Sequence, residues 1–206
     1  NGGKVVEVYN ETEWRSKRHL AKEVFSFVAE SPVATYDLGL GAIKRGNMND
    51  KLFEVPAQKW ADITDKEETF GVSVISECKY GWDKYNINTL RLTVVHTPQK
   101  NYRIDSMQSM MDLGLNRYSY GIFSHQGKVG ALTQLQARLF TQPMCACVCE
   151  KHDGALGTEY SFGSVSTNDV IIRAMKKAEE SDEIIVRLGE GTKKAIDSFT
   201  LTLGDG

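Results

Sequence analysis

Short runs in which apolar and polar residues alternate recur along the whole chain, and this period of two restricts the possible folds most. Ala34-Thr35-Tyr36-Asp37-Leu38-Gly39-Leu40, Leu90-Arg91-Leu92-Thr93-Val94, Tyr118-Ser119-Tyr120-Gly121-Ile122 and Phe199-Thr200-Leu201-Thr202-Leu203 all carry it. Val5 to Tyr9, Val24 to Val28, Gly71 to Ile75 and the one-sided trio Ile184, Val186 and Leu188 read the same way. Successive side chains of an extended strand point to opposite faces, so each run buries one face and wets the other. Turn-formers punctuate the runs at Arg45-Gly46-Asn47, Lys79-Tyr80-Gly81 and His152-Asp153-Gly154. Many short strands joined by turns predict an all-β chain built as an antiparallel β-sandwich. Strand–helix alternation is missing, which excludes Rossmann and TIM architectures.

Two segments hold good helix formers, Thr133 to Phe140 and Ile171 to Glu180. The β-branched run Val170-Ile171-Ile172 leads the second into a strand, whereas the first stays open between helix and strand. Gly, Ser and Thr gather at Glu159 to Thr167. That shift predicts a large sandwich region over 1–163 and a closing group of strands over 164–206. A long, Met-rich polar loop is expected from Asn101 to Met111.

Lys and Arg number 25 against 27 Asp and Glu, a net charge of −2, so no basic field draws the chain to nucleic acid or an anionic membrane. No apolar run approaches the roughly 20 residues of a membrane span, and Asn1-Gly2-Gly3-Lys4 does not open a secretory leader. The cysteines are Cys78, Cys145, Cys147 and Cys149. Residues two apart on a strand lie roughly 6–7 Å apart, at the far edge of disulfide reach, so a reducing, cytoplasmic setting is expected.

Few residues carry chemistry on their own. Cys145, Cys147 and Cys149 with His152 have the donor types of a zinc site. On a strand, however, a spacing of two cannot wrap one ion, and a buried face of small apolar cysteines is the plainer expectation. His19, His96, His125 and His152 fall at no ligand spacing, and HExxH, GxSxG, P-loop and GxGxxG motifs are absent. His125, beside Ser124 and Gly127, can line a cleft; a strand-end histidine is more commonly hydrogen-bonded at the surface. Asp62, Asp65, Glu77, Asp83, Asp105 and Asp112 form no recognisable acid/base pair, and Asp62 and Asp65 read as turn caps after Trp60. Trp60, Tyr80, Trp82 and Tyr85 gather around Lys79-Tyr80-Gly81-Trp82-Asp83. Such a loop can stack on sugar rings and hydrogen-bond hydroxyls, or pack its aromatics on the sandwich edge.

Lys59-Trp60-Ala61-Asp62-Ile63-Thr64-Asp65, followed by Phe70 to Glu77 and then Cys78-Lys79-Tyr80-Gly81-Trp82-Asp83, resembles the C-terminal region of the α-mannosidases of glycoside hydrolase family 38. There a "W-A-D-L-S" stretch leads to a strand and a "D-C-K-Y-G-x-D" loop. Ala34-Thr35-Tyr36, Gly41-Ala42-Ile43-Lys44-Arg45 and Phe53 to Ala57 resemble the preceding family segment. Leu90-Arg91-Leu92 with Thr97-Pro98, then Asp112, Gly114, Tyr120, His125 and Gly127, and finally Val170 to Glu190 extend the likeness from about Trp14 onward. Asn116 stands where the family usually has His, Ser124 where it has Pro and Glu77 where it has Asp. The acidic residue usual after Pro98 is also missing from Gln99-Lys100-Asn101. These departures suggest a divergent subgroup.

The resemblance implies a piece of a large, mutarotase-like supersandwich, with the C-terminal strands forming a smaller sheet. The family's zinc, its nucleophilic Asp and its acid/base Asp belong to an N-terminal α/β barrel with no counterpart in these residues. Retaining hydrolysis needs two carboxyl groups about 5 Å apart, so this chain alone is expected to be inactive and to hold no cofactor. Its expected partners are the catalytic barrel of the same polypeptide and an α-mannoside or oligosaccharide. A sandwich cut mid-sheet would also leave edges open to a second copy. Lys79, Tyr80, Trp82 and Asp83, with His125 and Arg45 as outliers, are the residues expected to reach sugar. Two other readings stay open: a free-standing carbohydrate-binding module, and a mutarotase-like enzyme using His125 as base.

Overall fold

The computed structural model describes residues 4–98, 111–191 and 195–204. The expected loop from Asn101 to Met111, with Asp105, falls outside them except for its last residue.

Ten strands come from the described residues up to Gln126. They are β1 (Val5–Trp14), β2 (His19–Ser26), β3 (Ala34–Asp37), β4 (Ala42–Arg45), β5 (Val55–Pro56), β6 (Trp60–Thr64), β7 (Phe70–Ser76), β8 (Gly81–Asn86), β9 (Thr89–Thr97) and β10 (Gly114–Gln126). Antiparallel pairing arranges them in a six-stranded sheet, β1-β10-β7-β6-β3-β4, and a four-stranded sheet, β2-β9-β8-β5. Every alternating run named above for this stretch overlaps one of these strands, although Phe27 and Val28 lie beyond β2 and Leu38 to Leu40 lie beyond β3. The all-β sandwich is therefore what the structure shows.

Alternation decides what the sheets share. Tyr36, Ala61, Ile63, Val74 and Tyr118 of the larger sheet meet Phe25, Trp82, Leu90, Leu92 and Val94 of the smaller one in a single buried cluster. Phe25 and Tyr120 close its edge with ring centroids 5.0 Å apart at 79°. Burying such side chains stabilises a fold by about 1.5–3 kcal/mol each.

The open segment becomes helix α1 (Ala131–Thr141), because Thr133 and Ala137, four residues apart, share its buried face. This helix covers the outer face of the six-stranded sheet, where Ala137 and Phe140 pack with Trp60, Ile75 and Phe123. Gly121 permits the close approach of β1 beneath it, since a Cβ there would stand 2.6 Å from Val5 Cγ1.

The remaining strands are β11 (Gly163–Val165), β12 (Val170–Lys177), β13 (Ile184–Glu190) and β14 (Leu201–Leu203). They pair as β11 with β14 and β12 with β13. The helix formers of β12 yield to sheet context as expected, with a bulge between Ile172 and Ala174. The 163/164 division falls within β11.

The cysteine stripe differs from expectation. Pro143 to Phe162 form neither helix nor strand, and Cys145, Cys147 and Cys149 are exposed rather than packed on a strand face. The alternation there is of cysteine with Ala146 and Val148, which gives no polar partner face to pair against a sheet. Among the described residues, no helix is long and apolar enough to cross a membrane.

Leu92→Ala, at a site with no exposure, should cost about 2–5 kcal/mol in urea unfolding. Val6→Ala, on the exposed side of β1, should stay within about 0.5 kcal/mol.

Candidate functional site

Two polar clusters stand on the two outer faces of the sandwich. On the six-stranded sheet, alternation along β6 turns Ala61 and Ile63 inward and Trp60, Asp62 and Thr64 outward, beneath α1. His125 of β10 and Ser73 of β7 project to the same side. His125 Nε2 donates to Asp62 Oδ2 at 2.8 Å, and the two side chains are 4% and 0% exposed. Ser73 Oγ donates to Asp62 Oδ2 at 2.7 Å, and Thr64 Oγ1 donates to Oδ1 at 2.6 Å. Thr133 of α1 lies 3.2 Å from Ser73 Oγ and is its donor, because the serine proton is committed to Asp62. Burial pulls the His125 pKa down, but the hydrogen bond and charge of Asp62 outweigh it, and the net shift is upward.

Gly71 makes room for this pair, since a Cβ there would stand 2.7 Å from His125 Cε1 and 2.8 Å from Thr64 Oγ1. His125 is thus not at the surface, and Asp62 is not a turn cap. Only Asp65 fills that role: Thr69 donates to it through its hydroxyl and through its amide at 2.6 Å, and these bonds hold its carboxyl below the usual range. With its proton locked against a buried carboxylate, His125 is a clamp between β6, β10 and α1, not an exposed base.

Beside the clamp opens a cavity of about 650 Å³. Its wall includes Trp60, Lys44, Lys66, Glu68, Lys128 and Gln134. Glu68 bridges Lys128 at 2.7 Å and Lys44 at 3.8 Å across the opening.

The second cluster lies on the outer face of the four-stranded sheet. Trp82 turns into the core with no exposure, so Asp83, its neighbour on β8, turns out. Asp83 accepts from Lys22 Nζ at 2.8 Å and from Arg91 Nε at 2.7 Å. Lys22 also donates to Glu54 at 2.9 Å. Burial raises the Glu54 pKa, but the bonds from Lys22 and Thr93 reverse this and lower it overall. The Arg91 guanidinium lies over the Tyr85 ring, 4.4 Å from its centroid. Two cations and two carboxylates therefore cancel on this face.

The expected sugar-facing residues do not form one loop. Trp82 and Asp83 belong to a strand, and only 77–80 connect β7 to β8. Tyr80 is 53% exposed. Lys79 lies over the Tyr118 ring, 5.8 Å from its centroid. Arg45 spans the sandwich edge, over the Tyr36 ring and donating to the Pro56 carbonyl at 2.9 Å. His125 stands on the opposite outer face from Asp83, so the two cannot share one ligand.

Sequence reasoning missed Lys84, which is buried without exposure to speak of and donates to Asn47 Oδ1 at 3.0 Å and to the Asn86 carbonyl. Burial lowers its pKa to about 8. Strand alternation, with Trp82 inward and Asp83 outward, turns this lysine inward opposite Leu90, whereas its charge alone would place it in water.

Among the described residues, no three His, Cys, Asp or Glu side chains are gathered at metal-binding distance. The described residues as they stand therefore do not fit the family's zinc.

The architecture is that of a β-sandwich domain braced by buried ion pairs. Residues 1–102 match the model of the glycosyl hydrolases family 38 C-terminal domain. Those residues carry that family's C-terminal domain, and the chain as a whole is similar to proteins named alpha-mannosidases. It is 25% identical over 206 residues to alpha-mannosidase 2C1 of Mus musculus, covering 96% of this chain and 19% of that protein. Alpha-mannosidase G of Dictyostelium discoideum is 23% identical over 192 residues, covering 90% of this chain and 17% of its own length. The chain thus spans about a fifth of the length of these curated relatives. A crystal structure of a glycosyl hydrolase family 38 protein from Enterococcus faecalis superposes with a TM-score of 0.83 at 16% identity, covering 98% of this chain and 24% of that one. An α-mannosidase structure from Enterococcus faecalis V583 gives 0.77 at 16%, covering 90% and 22%. At that identity the structural likeness speaks for the fold.

The His125–Asp62 pair sets a pH dependence. Its folded pKa is raised, so its stabilisation is complete below the ordinary histidine value of about 6.5 and is lost as pH rises through the folded value. His125 should titrate above free histidine by NMR, and Asp62→Asn should lower its pKa, because burial then outweighs the smaller influence of the backbone at Gln126 and Gly127.

Proposed function

We propose that this chain is the C-terminal sandwich of an α-mannoside-cleaving glycosidase, in which it packs on the catalytic part and walls one side of the sugar site. The alignment of proteins named alpha-mannosidases along 84–96% of the chain carries this reading. In such an enzyme the retaining carboxylates and the zinc lie in the α/β barrel that precedes the sandwich, and this chain alone is inactive.

The outer face of the four-stranded sheet suits the supporting role. Its charges cancel through Lys22, Glu54, Asp83 and Arg91, so it approaches a neutral polyol without a net field. Exposed Tyr85 supplies flat apolar area on this face, and exposed Tyr80 supplies more from the connection that leads into β8. Both Asp83 oxygens are taken by Lys22 and Arg91. Asp83 and Trp82 therefore hold this face in shape, while Tyr80, with Lys79 beside it, reaches outward.

The complete polypeptide carrying this chain should hydrolyse an aryl α-mannoside, and residues 1–206 alone should not. Tyr80→Ala in that polypeptide should lower kcat/KM roughly fivefold, the loss of about 1 kcal/mol of aromatic contact. Unchanged kcat/KM would remove Tyr80 from the sugar site. Absence of hydrolysis by the complete polypeptide would overturn the reading itself.

A further inference from the structure

We propose that the cavity beside the His125–Asp62 clamp binds a small organic anion, a carboxylate or phosphate group carried on an apolar body. Its volume of about 650 Å³ falls in the range of small-molecule sites, roughly 300–1,000 Å³. That is too large for an inorganic ion alone. Pro32, Val33 and Val129 supply apolar wall, and the nearly buried Trp60 belongs to the same wall.

The strongest polar groups left without a partner here are donors. Trp60 is 2% exposed, and its indole N–H meets no acceptor among the described residues. An orphaned buried donor carries a free-energy cost that an incoming acceptor offsets. Gly130, also on the wall, is the N-cap of α1. No side chain caps this helix end, and no acidic residue stands in its first turn. The first N–H groups of α1 and the positive end of its dipole are therefore uncompensated at the cavity. Lys66 lines the cavity too, and makes no ion pair among the described residues.

The carboxylates of the cavity, by contrast, are engaged. Asp65 accepts from the hydroxyl and the amide of Thr69, and Glu190 has an interaction of its own. Glu68 is shared by Lys128 and Lys44 across the opening. Three lysines and three carboxylates cancel formally, yet what these charged groups still offer a ligand is N–H rather than oxygen. Glu68 competes for the lysines an anion would use, and it does so from a backbone φ of 54°, in the left-handed region that residues with a Cβ rarely adopt. An entering anion takes over Lys128 and Lys44, so Glu68 acts as an ionic latch on the opening.

Titration calorimetry of phenyl phosphate and of benzoate into the complete polypeptide tests the site, with inorganic phosphate and neutral benzyl alcohol as controls. At least one aryl anion should bind saturably, more tightly than either control, and more weakly as ionic strength rises. The two anions distinguish a phosphate from a carboxylate headgroup. Lys66→Ala should weaken this binding about fivefold and Glu68→Gln should tighten it by a similar factor, the upper range for an exposed ion pair. Trp60→Phe keeps a ring but removes the N–H, and should weaken binding about fivefold as well. Lys66 and Glu68 stand outside the core, so they decide the matter even if Trp60→Phe fails to fold. No saturable binding of either aryl anion would overturn the proposal. So would binding that inorganic phosphate or benzyl alcohol matches, or that either Lys66→Ala or Glu68→Gln leaves unchanged.

Discussion

The fold depends on a sheet that is covered on both faces. The middle strands of the six-stranded sheet, β6, β7 and β10, meet the second sheet on one side and α1 on the other. A polar side chain on such a strand has no water to turn to, and leaving it unpaired costs more than a hydrogen bond returns. Asp62 therefore gathers His125, Ser73 and Thr64, and Ser73 passes the chain of hydrogen bonds on to Thr133 of the helix. What looks like a catalytic constellation is the means by which a buried carboxylate is accommodated. It also ties α1 to three strands.

The four-stranded sheet meets the same demand with charge. Asp83 is nearly sealed, and its two cations, Lys22 and Arg91, come from the two strands that complete its sheet toward β2. Breaking such a pair strands a charge and costs about 3–5 kcal/mol, so substitutions at Asp83 report on folding before they report on any ligand. Tyr80, in the connection that leads into β8, is the cleaner probe of a ligand because it is exposed and its side chain is not part of the core.

Much of this was readable from residue order. The period of two located the strands of seven residues or more in both sheets, and the block from Trp60 to Asp83 pointed to the family. The missing parts required three dimensions. His125 and Asp62 are 63 residues apart, so no spacing rule joins them, and Gly71, which makes their approach possible, looks like any strand glycine. Trp82 and Asp83 were placed on a loop because Lys79-Tyr80-Gly81 is a strong turn pattern; β8 starts at its last residue. The cysteine triplet copied strand alternation without being a strand, since its intervening residues are Ala146 and Val148. Pattern alone cannot separate a buried apolar run from an exposed irregular one.

The most direct test of the supporting role is a structure of the complete polypeptide with an α-mannoside bound. The account predicts that the outer face of the four-stranded sheet, with Tyr85, lies against the catalytic part, and that it borders the sugar together with Tyr80 of the connection into β8. A structure with that face open to solvent, or with the sugar on the α1 side of the sandwich, would contradict it.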